Sequence, residues 1–257
     1  MKFEFEYFRN TKLNGEFPKK NDYNYIVKYF QQDIFYKVEK YMWRLPDARR
    51  WIVGWMLGAR DGRKEDDITM TDCLACFKRS GLFYGFSQFN PMWFKWFIER
   101  SGCRRCYDPC GGWGHRLLGS GDLETYIYND LSKETKDNVD RMISYFDIKN
   151  VVTYCEDAAS FRPKEDYDSI FTCPPYYNVE HYPCGDFKDY SEYERMMNGI
   201  YLAYLENENC KVMGIVCRED LMALDGWTER IDMTLKGSNR VIRGRKKHVE
   251  CLYVFRK

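Results

Sequence analysis

A chain of 257 residues with 44% hydrophobic and 31% charged side chains can build one sizeable core with an added lobe, and it is not a disordered segment. A formal net charge of +1 excludes attraction of a polyanion by overall charge, so any such contact has to come from local patches. No apolar run reaches membrane-spanning length, the opening Met1-Lys2-Phe3-Glu4-Phe5-Glu6 is not a signal peptide, and eleven cysteines without a secretory signal point to reduced thiols in the cytoplasm.

Residues 1–85 have no alternation of strand and helix and read as a mainly helical extension, available for recognition of a target or partner. Residues 25–30 suit a helix or a strand. Residues 34–43 place Ile34, Val38 and Tyr41 at helical spacing until Pro46 ends the element, and residues 51–58 read as a buried helix. Arg44, Arg49, Arg50, Arg60, Arg63 and Lys64 interleave with Trp43, Trp51 and Trp55, which fits a nucleic-acid-contacting face or a solvated helix surface. The Cys73/Cys76 and Cys103/Cys106 pairs have the spacing of a structural zinc site. However, Cys106 falls in a core strand and Cys73 in a buried helix, so the four read better as small buried hydrophobes and no metal is expected.

From Asn90 onward the order becomes regular. A Trp/Phe-rich helix over 91–100 is closed by Gly102, followed by a strand at 103–107, a glycine loop at 111–114 and a helix from His115. Further strands are predicted at 125–128, 151–154, 169–171, 212–217, 230–235 and 250–255. Amphipathic helices are predicted at 133–146 and 193–205. Strands separated by helices imply an α/β doubly wound, mostly parallel seven-stranded sheet over 86–257, with ligands at the carboxyl ends of its strands.

The distinctive residues fall at those ends. After the first strand, Asp108-Pro109-Cys110-Gly111-Gly112-Trp113-Gly114 is a loop whose glycines let backbone approach a ligand. It is neither a dinucleotide fingerprint nor a Walker loop. Asp130, ending the second strand, is placed to take both hydroxyls of a ribose. Asp157, ending the third, can accept from an adenine amino group or cap the next helix. After the fourth strand, Thr172-Cys173-Pro174-Pro175-Tyr176-Tyr177 forms a stiff turn, because neither proline donates a hydrogen bond and each biases its predecessor towards an extended shape. Such a turn offers carbonyl acceptors and a flat ring to the exocyclic amino group of a base, although a plain strand-ending turn reads the same way.

Asp108-Pro-Cys-Gly-Gly-Trp-Gly resembles the S-adenosylmethionine loop of DNA amino-methyltransferases, commonly written Asp-Pro-Phe-x-Gly-x-Gly. Thr172-Cys-Pro-Pro-Tyr is similar to their catalytic (Asp/Asn/Ser)-Pro-Pro-(Tyr/Phe) motif, and Phe89-Asn90-Pro91 resembles the segment that holds the methionine end of the cofactor. The resemblance implies a class I methyltransferase, Rossmann-like fold. Phe89, Asn90, Pro91, Asp108, Pro109, Cys110, Gly111, Gly112 and Gly114 would then frame the methionine part, Asp130 the ribose, and Asp157 with Ala158 the adenine. Cys173, Pro174, Pro175 and Tyr176 would hold a target amino group flipped out of DNA. The Thr-Cys-Pro-Pro-Tyr form favours cytosine N4 over adenine N6, because Cys is the closest shape match to the Ser of the cytosine enzymes. It also departs from the pattern: a thiol is a poorer acceptor than a hydroxyl, so the backbone carbonyls would carry more of the work. Cys173 as a covalent nucleophile is disfavoured, since the carbon-5 enzymes place their Cys after the two prolines.

Target contact is expected from Tyr177 and from the basic stretch carrying Arg240, Arg243, Arg245, Lys246 and Lys247, which also reads as a solvated hairpin tip. RNA, a protein glutamine, or a binding module with a weakened site remain alternative readings.

Overall fold

The computed structural model describes residues 2–11, 13, 18, 27, 30–31, 89–177, 186–233 and 249–257. The readings at 34–43 and 51–58, the Arg/Trp-rich stretch at 43–64, Cys73, Cys76, and the basic residues Arg240, Arg243, Arg245, Lys246 and Lys247 lie outside these residues.

The described elements are α1 (Lys2–Asn10), α2 (Pro91–Ser101), β1 (Arg105–Asp108), α3 (His115–Gly119), β2 (Thr125–Asn129), α4 (Lys133–Phe146), β3 (Val151–Tyr154), β4 (Ser169–Thr172), α5 (Tyr190–Glu206), β5 (Val212–Arg218), β6 (Glu229–Asp232) and β7 (Glu250–Arg256). The strands form one sheet in the order β3-β2-β1-β4-β5-β7-β6. Pairs from β3 through β5 are parallel, and β7 runs antiparallel to both β5 and β6. The chain reverses its direction of travel across the sheet between β1 and β4, which is where such sheets open a crevice for a ligand.

Strand burial explains this layering. β4 is buried throughout and β5 at all but its last residue, as parallel strands covered on both faces must be. Alternate residues feed two cores. Cys106, Tyr126, Tyr128 and Phe171 pack with α1, α2, α3 and α4, whereas Tyr107, Ile127, Ile170, Met213 and Ile215 pack with α5. Cys103 and Cys106 lie buried in the first core, where desolvation pushes both thiols up.

Local signals set the helix ends. Asn90 caps α2 by accepting from the Met92 N–H at 3.1 Å, Pro91 occupies the first turn, and Gly102 closes the helix at φ 68°. Ser132 caps α4 through Thr135 N–H at 3.2 Å, and Asp189 caps α5 through Glu192 N–H at 3.0 Å. None of the described helices is long and apolar enough to cross a membrane.

The described part of the N-terminal stretch joins the first core rather than standing apart from it. Phe5 stacks on Phe146 with ring centroids 4.1 Å apart, and Phe5 and Phe8 are buried. The fully buried Lys95 of α2 donates its ammonium to the Arg9 carbonyl at 2.6 Å and to Asp122 Oδ2 at 3.1 Å.

Candidate active site

Four strand ends meet at the carboxyl edge. Asp108, the last residue of β1, is fully buried, and its Oδ2 accepts from Arg116 Nε at 2.5 Å and from the Tyr126 hydroxyl at 2.6 Å. Burial works against the Arg116 charge and the Asp108 carboxylate more than restores it. Arg116 also donates to the Cys110 carbonyl and lies over the Phe89 ring at 5.0 Å. Asp108 thus anchors Arg116 beneath the loop, while its second oxygen, Oδ1, is buried with no hydrogen-bond partner among the described residues.

The loop above is shaped by its glycines. A side chain at Gly111 would drive a Cβ to within 2.1 Å of the Tyr128 ring, and Gly114 at φ 88° has the Met142 methyl 2.6 Å from where a Cβ would lie. Gly112 differs: at φ 58° a Cβ there would meet nothing within 4 Å among the described residues. Its N–H donates to Asp130 Oδ2 at 2.8 Å, and the other Asp130 oxygen takes the Ser132 N–H at 2.8 Å. Asp130 lies just past the carboxyl end of β2, partly exposed, with desolvation pushing its carboxyl up to about 6.

Asn129 ties three strand ends together, a role that its position beside Asp130 does not reveal in the sequence. Its amide nitrogen donates to the Pro109 and Glu156 carbonyls at 2.9 and 3.0 Å, and its Oδ1 accepts from the Glu156 N–H at 2.9 Å. Asp157 closes a turn by accepting from Ala159 N–H at 2.9 Å, and its Oδ2 pairs with Arg195 of α5 at 3.2 Å. Ala158 is buried against the second core. Phe89 is buried against Trp93 and Phe171, and Asn90 is buried as the cap of α2.

The double-proline turn abuts the loop: the Cys110 N–H donates to Thr172 Oγ1 at 3.2 Å. Cys173 is partly buried between the two cores. Among the described residues no donor is bonded to the Pro174 carbonyl. The Tyr176 ring, read from the sequence as a stacking surface, is instead 4% exposed and packed in the second core. Its hydroxyl donates to Glu250 Oε1 of β7 at 2.7 Å and lies 3.8 Å from Cys173 Sγ. The reason is long-range: an acid 74 residues later captures the hydroxyl and draws the ring inward. Tyr177 remains partly exposed, edge-on to Tyr190 at 5.4 Å.

This strand order, with its final antiparallel insertion, is that of the class I methyltransferase fold, Rossmann-like in its parallel half. No sequence family and no curated protein matches the chain. Solved structures similar to it include TrmN from Thermus thermophilus (17% identity, TM-score 0.49, covering 70% of this chain and 52% of that one). An S-adenosylmethionine-dependent methyltransferase from Agrobacterium tumefaciens is 14% identical, with a TM-score of 0.42 and coverage of 66% and 65%. The 23S rRNA methyltransferase ErmE is 10% identical, with a TM-score of 0.42 and coverage of 64% and 67%. The fold stands on the strand order and pairing of this chain itself.

Proposed function

We propose that the protein is an S-adenosylmethionine-dependent methyltransferase acting on the exocyclic amino group of a base in nucleic acid, with DNA as the target and cytosine N4 favoured over adenine N6. The observation that carries this reading is the direct bond between the loop after β1 and the double-proline turn after β4, Cys110 N–H to Thr172 Oγ1. It sets a cradle for a methyl donor beside a set of acceptors for an amine.

The residues present fit that cofactor. Among the described residues Gly112 faces open space and the buried Asp108 Oδ1 has no partner, and Asp130 stands beside Gly112 with lone pairs left for ribose hydroxyls. When bound, S-adenosylmethionine would supply an electrophilic methyl group. Gly111, Gly112 and Gly114, with Phe89, Asn90, Pro91, Asp108, Pro109 and Cys110, would hold the methionine portion, and Asp157 and Ala158 would hold the adenine portion. The target nitrogen is a poor nucleophile because its lone pair is delocalised into the ring. The Pro174 carbonyl and Cys173 would accept its hydrogens, which draws such a nitrogen towards tetrahedral geometry and frees its lone pair for transfer. With the Tyr176 ring buried, the partly exposed Tyr177 offers the stacking face for the flipped base. Arg240, Arg243, Arg245, Lys246 and Lys247 supply phosphate contacts.

Incubation with tritiated cofactor and duplex DNA, single-stranded DNA, RNA or protein tests the reading. Label is expected in DNA, and nucleoside mass spectrometry is expected to find N4-methylcytosine. Label confined to RNA would keep the chemistry and change the substrate, whereas label confined to protein would reject the nucleic-acid reading.

A further inference from the structure

The double-proline turn is fastened at both ends by groups from elsewhere in the fold, a main-chain N–H at its start and a carboxylate at its end. At its start Thr172 Oγ1 accepts from the Cys110 N–H, 62 residues away, and at its end the Tyr176 hydroxyl donates to Glu250, 74 residues away. We propose that Glu250 is the positioning residue of this turn: from the last strand it latches the Tyr176 hydroxyl, and through it the Cys173 thiol, fixing the acceptors that face the target amino group.

The site around Glu250 is built for one task. Glu250 opens β7 and pairs in register with Arg218, the last residue of β5. A carboxylate there is largely removed from water, which is unfavourable unless it is paired. Burial pushes its carboxyl up, opposed by the Tyr176 hydroxyl and by the Arg218 charge. The other groups facing it are already committed. Arg218 is engaged by both oxygens of Asp220, at 3.0 and 2.6 Å, and Arg230 of β6 turns to Glu219 and Cys251. The buried thiol of Cys217, beside Arg218, lies 3.6 Å from the Tyr193 hydroxyl. Tyr176 is therefore the neutral donor that satisfies the acid, at 2.7 Å, within the range of charge-assisted O–H···O bonds.

With its proton committed to Glu250, the Tyr176 oxygen faces Cys173 Sγ, 3.8 Å away, as an acceptor. An S–H directed at that oxygen turns the sulfur lone pairs away from it. This allows a thiol to receive an amino hydrogen where related motifs use Asp, Asn or Ser. Glu250 touches neither donor nor target. It acts through Tyr176.

The functional half of this inference rests on the methyltransfer reading above, while the latch itself is testable without it. Alkylation by iodoacetamide, mapped by mass spectrometry, reads the accessibility of Cys173, with Cys155 in the same chain as the internal reference. Glu250→Ala and Tyr176→Phe are each expected to raise Cys173 labelling about tenfold over the reference. Glu250→Gln keeps an acceptor for the hydroxyl and is expected to stay near the wild-type rate. Unchanged Cys173 labelling in both Glu250→Ala and Tyr176→Phe would overturn the latch. In the transfer assay Glu250→Ala is expected to lower kcat about tenfold with little change in the KM for S-adenosylmethionine, and Glu250→Gln to recover most of it. Equal kcat in Glu250→Ala and the wild type would overturn the positioning role. Altered labelling together with no transfer by the wild type would reject the methyltransfer reading while upholding the latch.

Discussion

The loop after β1 and the turn after β4 sit side by side, yet they are held by opposite means. The loop is held from nearby in the sequence: Arg116, Tyr128 and Asn129 donate to its carbonyls, the Asn129 carbonyl accepts from the Gly111 N–H, Asp108 holds Arg116 in place, and glycines at 111 and 114 allow the close packing. Among the described residues the turn's long-range fastenings come from Cys110 and Glu250, with a local contact, Cys173 Sγ to the Tyr176 hydroxyl at 3.8 Å. A cradle for a constant ligand can be written into one short stretch of sequence. A pocket for a variable target depends on parts of the fold that are far apart in the chain.

That contrast can be broken from the loop side first. Asp108→Ala removes the only carboxylate bonded to the buried Arg116 among the described residues, and an uncompensated buried charge costs about 3–5 kcal/mol. Urea unfolding should detect the loss, and an unchanged midpoint would show that Arg116 finds another counter-charge. Next come the two adjacent glycines, which separate packing from ligand space. Gly111→Ala forces a Cβ into Tyr128 and is expected to lose about 1–3 kcal/mol by the same measurement. Gly112→Ala meets open space but must hold φ 58°, for a cost of about 1–2 kcal/mol, and its larger effect is expected in calorimetric binding of S-adenosylmethionine.

Asp130 sharpens the comparison through pH. Its carboxyl is pushed from 3.8 to about 6 by desolvation, so the folded state binds more protons than the unfolded one between those values. Its contribution to stability is therefore present at low pH and lost as pH rises through about 6. On the proposed reading, ribose binding would run the other way, because a protonated acid is a weaker acceptor, and affinity should fall as pH drops through about 6. Asp130→Asn should abolish that limb in calorimetry and weaken binding about tenfold, in keeping with about 1.5 kcal/mol for a hydrogen bond to a charged group. The smallest effect is expected at Arg195→Ala. Its pair with Asp157 is exposed on both sides, so thermal unfolding should register under about 1 kcal/mol.

Much of the fold was legible because its signals are local. The helical spacing of Val139, Met142 and Phe146 and the apolar run at β3 fall within the observed bounds of α4 and β3. Nothing local could place β7 between β5 and β6, since period-2 patterning marks a strand without naming its neighbours. α1 went unassigned because its nine residues lie in a stretch without strand–helix alternation. The same division runs through the candidate site. Asp130 and the glycines announce themselves by their place at strand ends. Asn129 and Glu250 have partners that only the folded chain brings close, and the burial of Tyr176 follows from the second of them.

The ammonium of Lys95 has a consequence for how the molecule can be cut. One of its two acceptors is a main-chain carbonyl of α1, and the Phe8 ring lies 5.9 Å beneath it. A fragment beginning at Asn90 would keep the whole sheet and both strand-end loops but inherit a cation whose cover had left with the first helix. Water would have to enter between α2 and the segment at 120–122 to solvate it. Trimming the chain to its most recognisable half would therefore open that half along a seam distant from the crevice.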